Sequence, residues 1–453
     1  MTHGCNQKII TADDMELLTR IQACNPILYD RVMGILNIVN DSRGRTADDV
    51  EFQVIDNLRD LGKDLLTTWA TEQVAVETAK ALEQHSELKR SKKKELSWQT
   101  TYGEITVEEQ ILSDKNTQEI VRPFKKLAAV ECRGYSLPLQ RAMTDFGVDE
   151  SFGAAAKKLK EHYGIDVSIT AIQRITENHA EIVHNTEEEL HKESLMKPKN
   201  ATGTIIAEID GSMVPIVERI LPNDVVASEV DLRKFRTLLY KEARLAIAHE
   251  QGSATPVFAA TMGGVAEAGK QLRFAVEDVG LNDKTKIHGV GDGATWIASQ
   301  FENQFGAQST YLIDFYHLCD YLSAASKSIP HSERWMEQQK ILLKNSQSAQ
   351  VLLNLKPYIE PSDANDENAA VRACYRYIDN RPSQFDYKDA LENELPIGSG
   401  EVESEHRYIS QKRLKLPGAW WKASNAENML SLRVQRANGG WNDYWDKKRK
   451  FVA

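Results

Sequence analysis

The sequence contains no run of about 18 apolar residues, so it offers no membrane-spanning helix. Its opening, MTHGCNQKIITADD, lacks an apolar h-region, which predicts no secretory leader. Cysteine is scarce: Cys5, Cys24, Cys132, Cys319 and Cys374 are odd in number, scattered, and form no C-x-x-C pair. That pattern disfavours a zinc ribbon or a disulfide framework and points to a reducing cytoplasm. An excess of positive charge is also missing. Lys plus Arg is 56 against 66 Asp plus Glu, a net charge of −10, which at first sight argues against a polyanionic partner. What is present is a 41% hydrophobic content over 453 residues. That is too much for global disorder, and at roughly 100–200 residues per domain it predicts two to four domains.

Five segments follow from pattern and composition. Residues 1–95 read as helical, with Thr46 able to cap a long helix bearing Asp48 and Asp49 in its first turn. Leu58, Leu61, Leu65 and Trp69 recur there at helical spacing, a stripe suited to packing or oligomerisation. The run Lys89-Arg90-Ser91-Lys92-Lys93-Lys94 reads as a solvated linker able to touch phosphates. Residues 96–195 hold a hairpin-like stretch over 98–112 and then a helix-turn-helix layout. Its first helix lies near 152–162, with a turn at Gly164 and Ser168 as N-cap of a second helix with Ile169, Ile172 and Ile175 facing inward. Thr170, Gln173, Arg174 and Asn178 lie on the other face, capable of contacting bases or phosphates. The same layout also serves as an ordinary helical hairpin.

Residues 196–325 change character. TGTIIAEIDGSMVPIVERI reads as strand, turn and strand, followed by strands over 241–252 and 256–264 and then alternating strand–helix units, an α/β pattern. Residues 326–395 read as a helical insertion, and 396–453 as a further helix leading into a basic, Trp-rich tail. The carboxylates singled out are Asp210, delivered by an apolar strand, Asp292 between two glycines after another strand, and a glutamate near 403. Acids at the ends of neighbouring strands suit the rim of an α/β active site, and their mutual repulsion would be relieved by Mg²⁺ or Mn²⁺. Two such ions can activate an attacking oxygen and stabilise a leaving one. Other readings stay open. Asp-Gly is a common turn, paired carboxylates serve glycosidases, and Ser399 sits in Gly398-Ser399-Gly400 without a full nucleophile-elbow pattern.

The chain resembles the DDE-type transposases of bacterial insertion sequences, the Kra group, related to Mutator-like transposases. The motifs are RGYSLPLQRAMTDFGVDESFGAAAKKL, EIDGSMV, YKEARLA, GDGATWI, LIDFYHLCDYL and IGSGEVESEHRYISQKRLKLPGAWW, in order over roughly residues 98–445. The resemblance implies a ribonuclease-H-like catalytic core interrupted by a helical insertion, preceded by helical N-terminal and helix-turn-helix-like domains. It implies DNA cleavage at element ends and strand transfer into target DNA. Carried over by position, the catalytic and metal-holding triad is Asp210, Asp292 and Glu403, with two Mg²⁺ ions as cofactor. Glu401 and Glu405 compete with Glu403, from which they differ by about 200° around a helix. Asp314 and His317 match the C/D-x-x-H signature as supporting residues. Element ends, target DNA and further copies of the chain are the implied partners, in a prokaryotic, nucleoid-associated setting. The run Ala419-Trp420 departs from the Met-Arg-Trp-like sequence expected after Gly418. A derived DNA-binding protein without transposition activity is the alternative.

Read by segment, the charge objection weakens. Residues 401–453 hold 11 bases and 6 acids, so the negative balance lies upstream. Arg407, Lys412, Arg413 and Lys415 follow Glu403 directly and are expected to guide a phosphate backbone.

Overall fold

The computed structural model describes residues 12–40, 44–196, 203–220 and 231–452. Cys5 and most of the opening segment lie outside the described residues. Two compact units are present: Met1–Gly147 with Phe152–Ile175 and Trp445–Ala453, and Val148–Ser151 with Thr176–Tyr444. No helix among the described residues is long and apolar enough to cross a membrane.

The first unit opens with helices Ala12–Cys24, Pro26–Asn40 and Ala47–Gln84. Thr46 caps the third, its hydroxyl accepting from the Asp49 amide while the Asp49 carboxylate accepts from the Thr46 amide. Of the stripe suited to packing or oligomerisation, Leu58, Leu65 and Trp69 are exposed, Trp69 still meeting Phe124 edge-on, while Ala70 and Thr78 are the buried residues of the helix. The reason is the neighbouring hairpin, β1 (Leu88–Thr100) and β2 (Gly103–Asp114), whose Leu96, Trp98, Ile105 and Val107 cluster with Ala70 and Phe124. Two short strands, β3 (Ile120–Val121) and β4 (Gly134–Tyr135), complete a sheet in the order β3-β2-β1-β4. The Lys89–Lys94 run is no linker but the first half of β1. Its side chains are exposed, while its backbone pairs with β2 around a bulge between Arg90 and Lys93. Further on, helix Phe152–Tyr163, a left-handed Gly164 (φ +69°) and helix Ile169–Asn185 follow the expected helix-turn-helix spacing. Leu139, Met143, Ala155, Leu159 and Ile172 form its core, and the Ser168 hydroxyl accepts from the Ala171 amide. Ile169 is exposed rather than inward.

The second unit is a mixed α/β fold, a five-stranded sheet flanked by helices. Its strands are β5 (Thr204–Arg219), β6 (Arg236–Glu250), β7 (Val257–Thr261), β8 (Lys286–Gly291) and β9 (Ser309–Ile313). They lie in the order β7-β6-β5-β8-β9, with β7, β6 and β5 mutually antiparallel neighbours and β5, β8 and β9 parallel. The strand–turn–strand expected over 202–220 is instead one continuous strand. Ser212, Val214 and Ile216 keep the period-2 burial going past Gly211, and β6 pairs with β5 along its full length. Gly211 lies close under the Glu242 side chain, which would have to shift to admit a Cβ there. One core gathers Ile205, Ala207, Ile209, Leu272, Ile287 and Phe301 under helices Val265–Val279 and Thr295–Phe305. A second core gathers Leu318, Leu322, Trp335, Cys374 and Tyr387, which binds the helices of 332–392 to helix Phe315–Ser326.

Candidate functional site

Asp210 sits mid-strand in β5, not at a strand end. It is nevertheless two residues past Glu208, where pairing with β8 stops at Val290, and Asp292 follows one residue beyond the end of β8. The two carboxylates are thus delivered at nearly the same level of the sheet. Burial raises the Asp210 carboxyl to about 6, and the charges of Asp292, Glu403 and Glu242 push the same way, against the Gly211 amide that lowers it.

Glu403 lies on helix Gly400–His406, which opens directly after the insertion. Glu401 Oε2 lies 2.9 Å from His249 Nε2, and burial together with Glu401 raises Glu405, whereas Glu403 is the one whose charge acts on Asp210. His406, buried on the same helix, ties the two elements together. Its Nε2 lies 3.0 Å from the Asp210 carbonyl oxygen and its Nδ1 3.1 Å from Ser410 Oγ. Burial lowers its pKa, which favours the neutral ring with Nε2 donating to the carbonyl, while the Ser410 hydroxyl donates to the His406 carbonyl at 3.0 Å.

The Asp292 loop is held by the helical insertion, a role the sequence did not suggest. Tyr377 Oη donates to the Asp292 carbonyl at 2.6 Å and Arg381 Nε to the Gly293 carbonyl at 2.8 Å, with the guanidinium 4.1 Å above the Tyr377 ring. Gly293 adopts φ +83°, and a Cβ there would lie 2.3 Å from Tyr377 Oη. Gly293→Ala is therefore expected to cost about 1–3 kcal/mol, from left-handed strain and the clash together. Chemical denaturation of the two proteins measures it.

Asp314 is structural. Its Oδ1 accepts from the Tyr316 and His317 amides, capping helix Phe315–Ser326, and its Oδ2 accepts from the Ser399 amide and hydroxyl. It thereby anchors the start of the Glu403 helix. His317 packs edge-on against Tyr321.

Glu208 was not anticipated, although an acid inside the apolar run TIIAEI was a visible signal. It is fully buried, with Oε2 accepting from the Val402 amide at 2.9 Å. Burial raises it to about 8, helped by Glu401, Asp314 and Glu403. Because the folded value lies above the unfolded one, its contribution to stability is full below pH 4.5 and is lost as pH rises through about 8. Glu208→Gln is therefore expected to leave stability at pH 4 nearly unchanged and to raise it at pH 8 by on the order of 4 kcal/mol. Urea titrations at the two pH values test this; equal shifts at both would contradict it.

These carboxylates do not converge as a metal centre. Among the described residues no three His, Cys, Asp or Glu side chains are grouped so as to hold a metal ion. The expected pair of Mg²⁺ or Mn²⁺ ions on Asp210, Asp292 and Glu403 is thus corrected. Of the three, Asp292 is engaged locally, its Oδ1 accepting from the Ala294 amide.

The basic residues divide. Arg407 and Lys412 are exposed, and half-buried Lys415 donates from Nζ to Ser212 Oγ at 2.7 Å, two residues along β5 from Asp210. Arg413 is a correction: it is buried, its guanidinium 4.7 Å above the Trp421 ring, and burial lowers its pKa to about 10. It offers no surface to a phosphate. On the first unit Thr170, Gln173 and Arg174 are all exposed.

Residues 271–449 are similar to the model of an uncharacterised protein family, UPF0236. The matched stretch carries Asp292, Asp314, His317 and Glu403 and leaves Asp210 outside. No curated protein matches the chain.

Proposed function

We propose that the chain is a DNA strand-cleaving and strand-joining enzyme of the transposase type. The observation that carries this reading is the placement of three acids: Asp210 in β5, Asp292 one residue beyond β8, and Glu403 on the helix that opens after the insertion. The strand order β7-β6-β5-β8-β9, three antiparallel strands beside two parallel ones, supports a ribonuclease-H-like core. With a carboxyl near 6, Asp210 is suited to take a proton from water attacking the phosphodiester at an element end. The bond to the 3′-oxygen breaks and that oxygen takes a proton from solvent; the freed 3′-hydroxyl then gives its proton to the base and attacks a target phosphodiester, displacing the target's own 3′-oxygen. Lys415 supplies positive charge beside the strand, and Thr170, Gln173 and Arg174 offer a helix face for a groove. Further copies of the chain would hold paired ends. The test is incubation of a labelled fragment carrying the DNA that flanks the gene: nicked and joined products support the reading, and intact DNA opposes it.

The absence of a three-ligand metal group among the described residues favours a second reading, a transposase-derived DNA-binding protein. Binding without cleavage in that assay, and flanks without terminal inverted repeats, would select it.

A further inference from the structure

The β5–β6 ribbon carries an exposed aromatic face that the cleavage reading does not use. Odd-numbered residues of β5 are buried at Ile205, Ala207 and Ile209 under helix Val265–Val279, but burial fades beyond Gly211. Paired residues share a face, so Met213, Pro215 and Val217 lie beside Glu242, Tyr240 and Leu238 of β6, with the Glu242 charge taken up by Arg244. The segment at Trp421 runs parallel along the other edge of β5, bridging Ile216, with the Val217 amide donating to the Trp421 carbonyl at 2.8 Å. Trp421 therefore shares the buried face of Ile216, and alternation turns Trp420 to the face of Pro215 and Val217. Exposure agrees: Trp421 is 4% accessible, against 62% for Trp420, 58% for Tyr240, 50% for Met213 and 49% for Leu238. Exposed Arg219 and Arg236 pair at the far end of the same face, and exposed Lys422 flanks Trp420.

We propose that this face is a stacking platform for single-stranded nucleic acid, with bases on Trp420 and Tyr240 and phosphates at Arg219, Arg236 and Lys422. Aromatic rings on an open sheet face accept any base by its π-face, and a cationic rim follows the backbone. Charge decides against a second copy as the occupant. An isologous contact would set this rim against itself, whereas a polyanion neutralises it. The proposal is separate from the cleavage chemistry, because it concerns binding of any unpaired strand.

Fluorescence anisotropy with the full chain and a labelled 30-nucleotide oligothymidine tests it independently of cleavage. Trp420→Ala and Tyr240→Ala are each expected to weaken binding roughly 5–100-fold. Trp420→Phe and Tyr240→Phe should stay within about threefold, since a ring remains. Arg219→Glu with Arg236→Glu should weaken binding and flatten its salt dependence. Unchanged affinity in both alanine variants overturns the proposal. So does dissociation of a dimer in sedimentation velocity by those variants with oligonucleotide affinity intact, which would assign the face to a second copy.

Discussion

On the proposed function, Asp210→Asn is expected to lower DNA strand cleavage by roughly 10²–10⁴-fold, the range a positioned general base supplies. Asparagine keeps the shape of the side chain and removes its capacity to accept a proton near neutral pH. The loss should not come from unfolding. The folded Asp210 carboxyl is raised from 3.8 to about 6, so its stabilising contribution is full below pH 3.8 and lost as pH rises through about 6. At pH 7.5 the wild-type fold carries the repulsion of Asp292, Glu403 and Glu242 on an ionised Asp210, and the amide does not. The variant should therefore be at least as stable as wild type at that pH. Wild-type cleavage should rise with pH through about 6 as the base ionises, a limb missing from any residual activity of the variant. Retention of cleavage by Asp210→Asn would remove Asp210 from the chemistry.

Arg433→Met is expected to give the largest loss of stability, about 3–5 kcal/mol, because it leaves several buried acceptors unserved. Arg433 is buried and uses its whole fork. Nε donates to the Ile409 carbonyl at 2.5 Å, one terminal nitrogen to the Val148 carbonyl at 2.6 Å and Asp149 Oδ1 at 2.9 Å, and the other to the Tyr408 carbonyl. Tyr408 and Ile409 belong to a π-helical stretch, Arg407–Gln411, that follows the Glu403 helix directly. The wider turn rotates the residues after it by about 100° relative to a continuous α-helix. Lys415 reaches Ser212 from that shifted register. Arg433→Lys should recover part of the stability, since an ammonium keeps the charge but not the planar fork. Denaturant midpoints for the three proteins measure both effects. A loss below about 1 kcal/mol for methionine would show that water or neighbouring groups replace the guanidinium.

Several parts of the site were legible in the amino-acid order. The apolar runs around 204–209 and 286–291 announced strands, the glycines around Asp292 announced a tight exit, and Ser168 announced a helix start. Each is a local property, set by side-chain periodicity and backbone freedom over a few residues. The Asp-Gly at 210–211 misled for the same reason. Locally it is a turn signal, and only the unbroken pairing of β5 with β6 through both residues shows that they lie within a strand.

Burial and partnership over long separations were not legible. Arg413 and Arg407 are both cations after Glu403 in sequence, but one stacks on Trp421 and the other meets solvent. Tyr377 and Arg381 hold the Asp292 loop from about 85 residues away. The metal expectation failed on the same ground, since spacing places acids on elements but does not say which amide or imidazole each oxygen will face. The sequence by itself determined the strands, the helices and the acids they carry, because those depend on neighbours along the chain. Only the tertiary structure decided which arginine is buried. It also decided that Trp420 stands exposed while Trp421 is buried. Those outcomes depend on desolvation and hydrogen bonding between segments far apart in the chain.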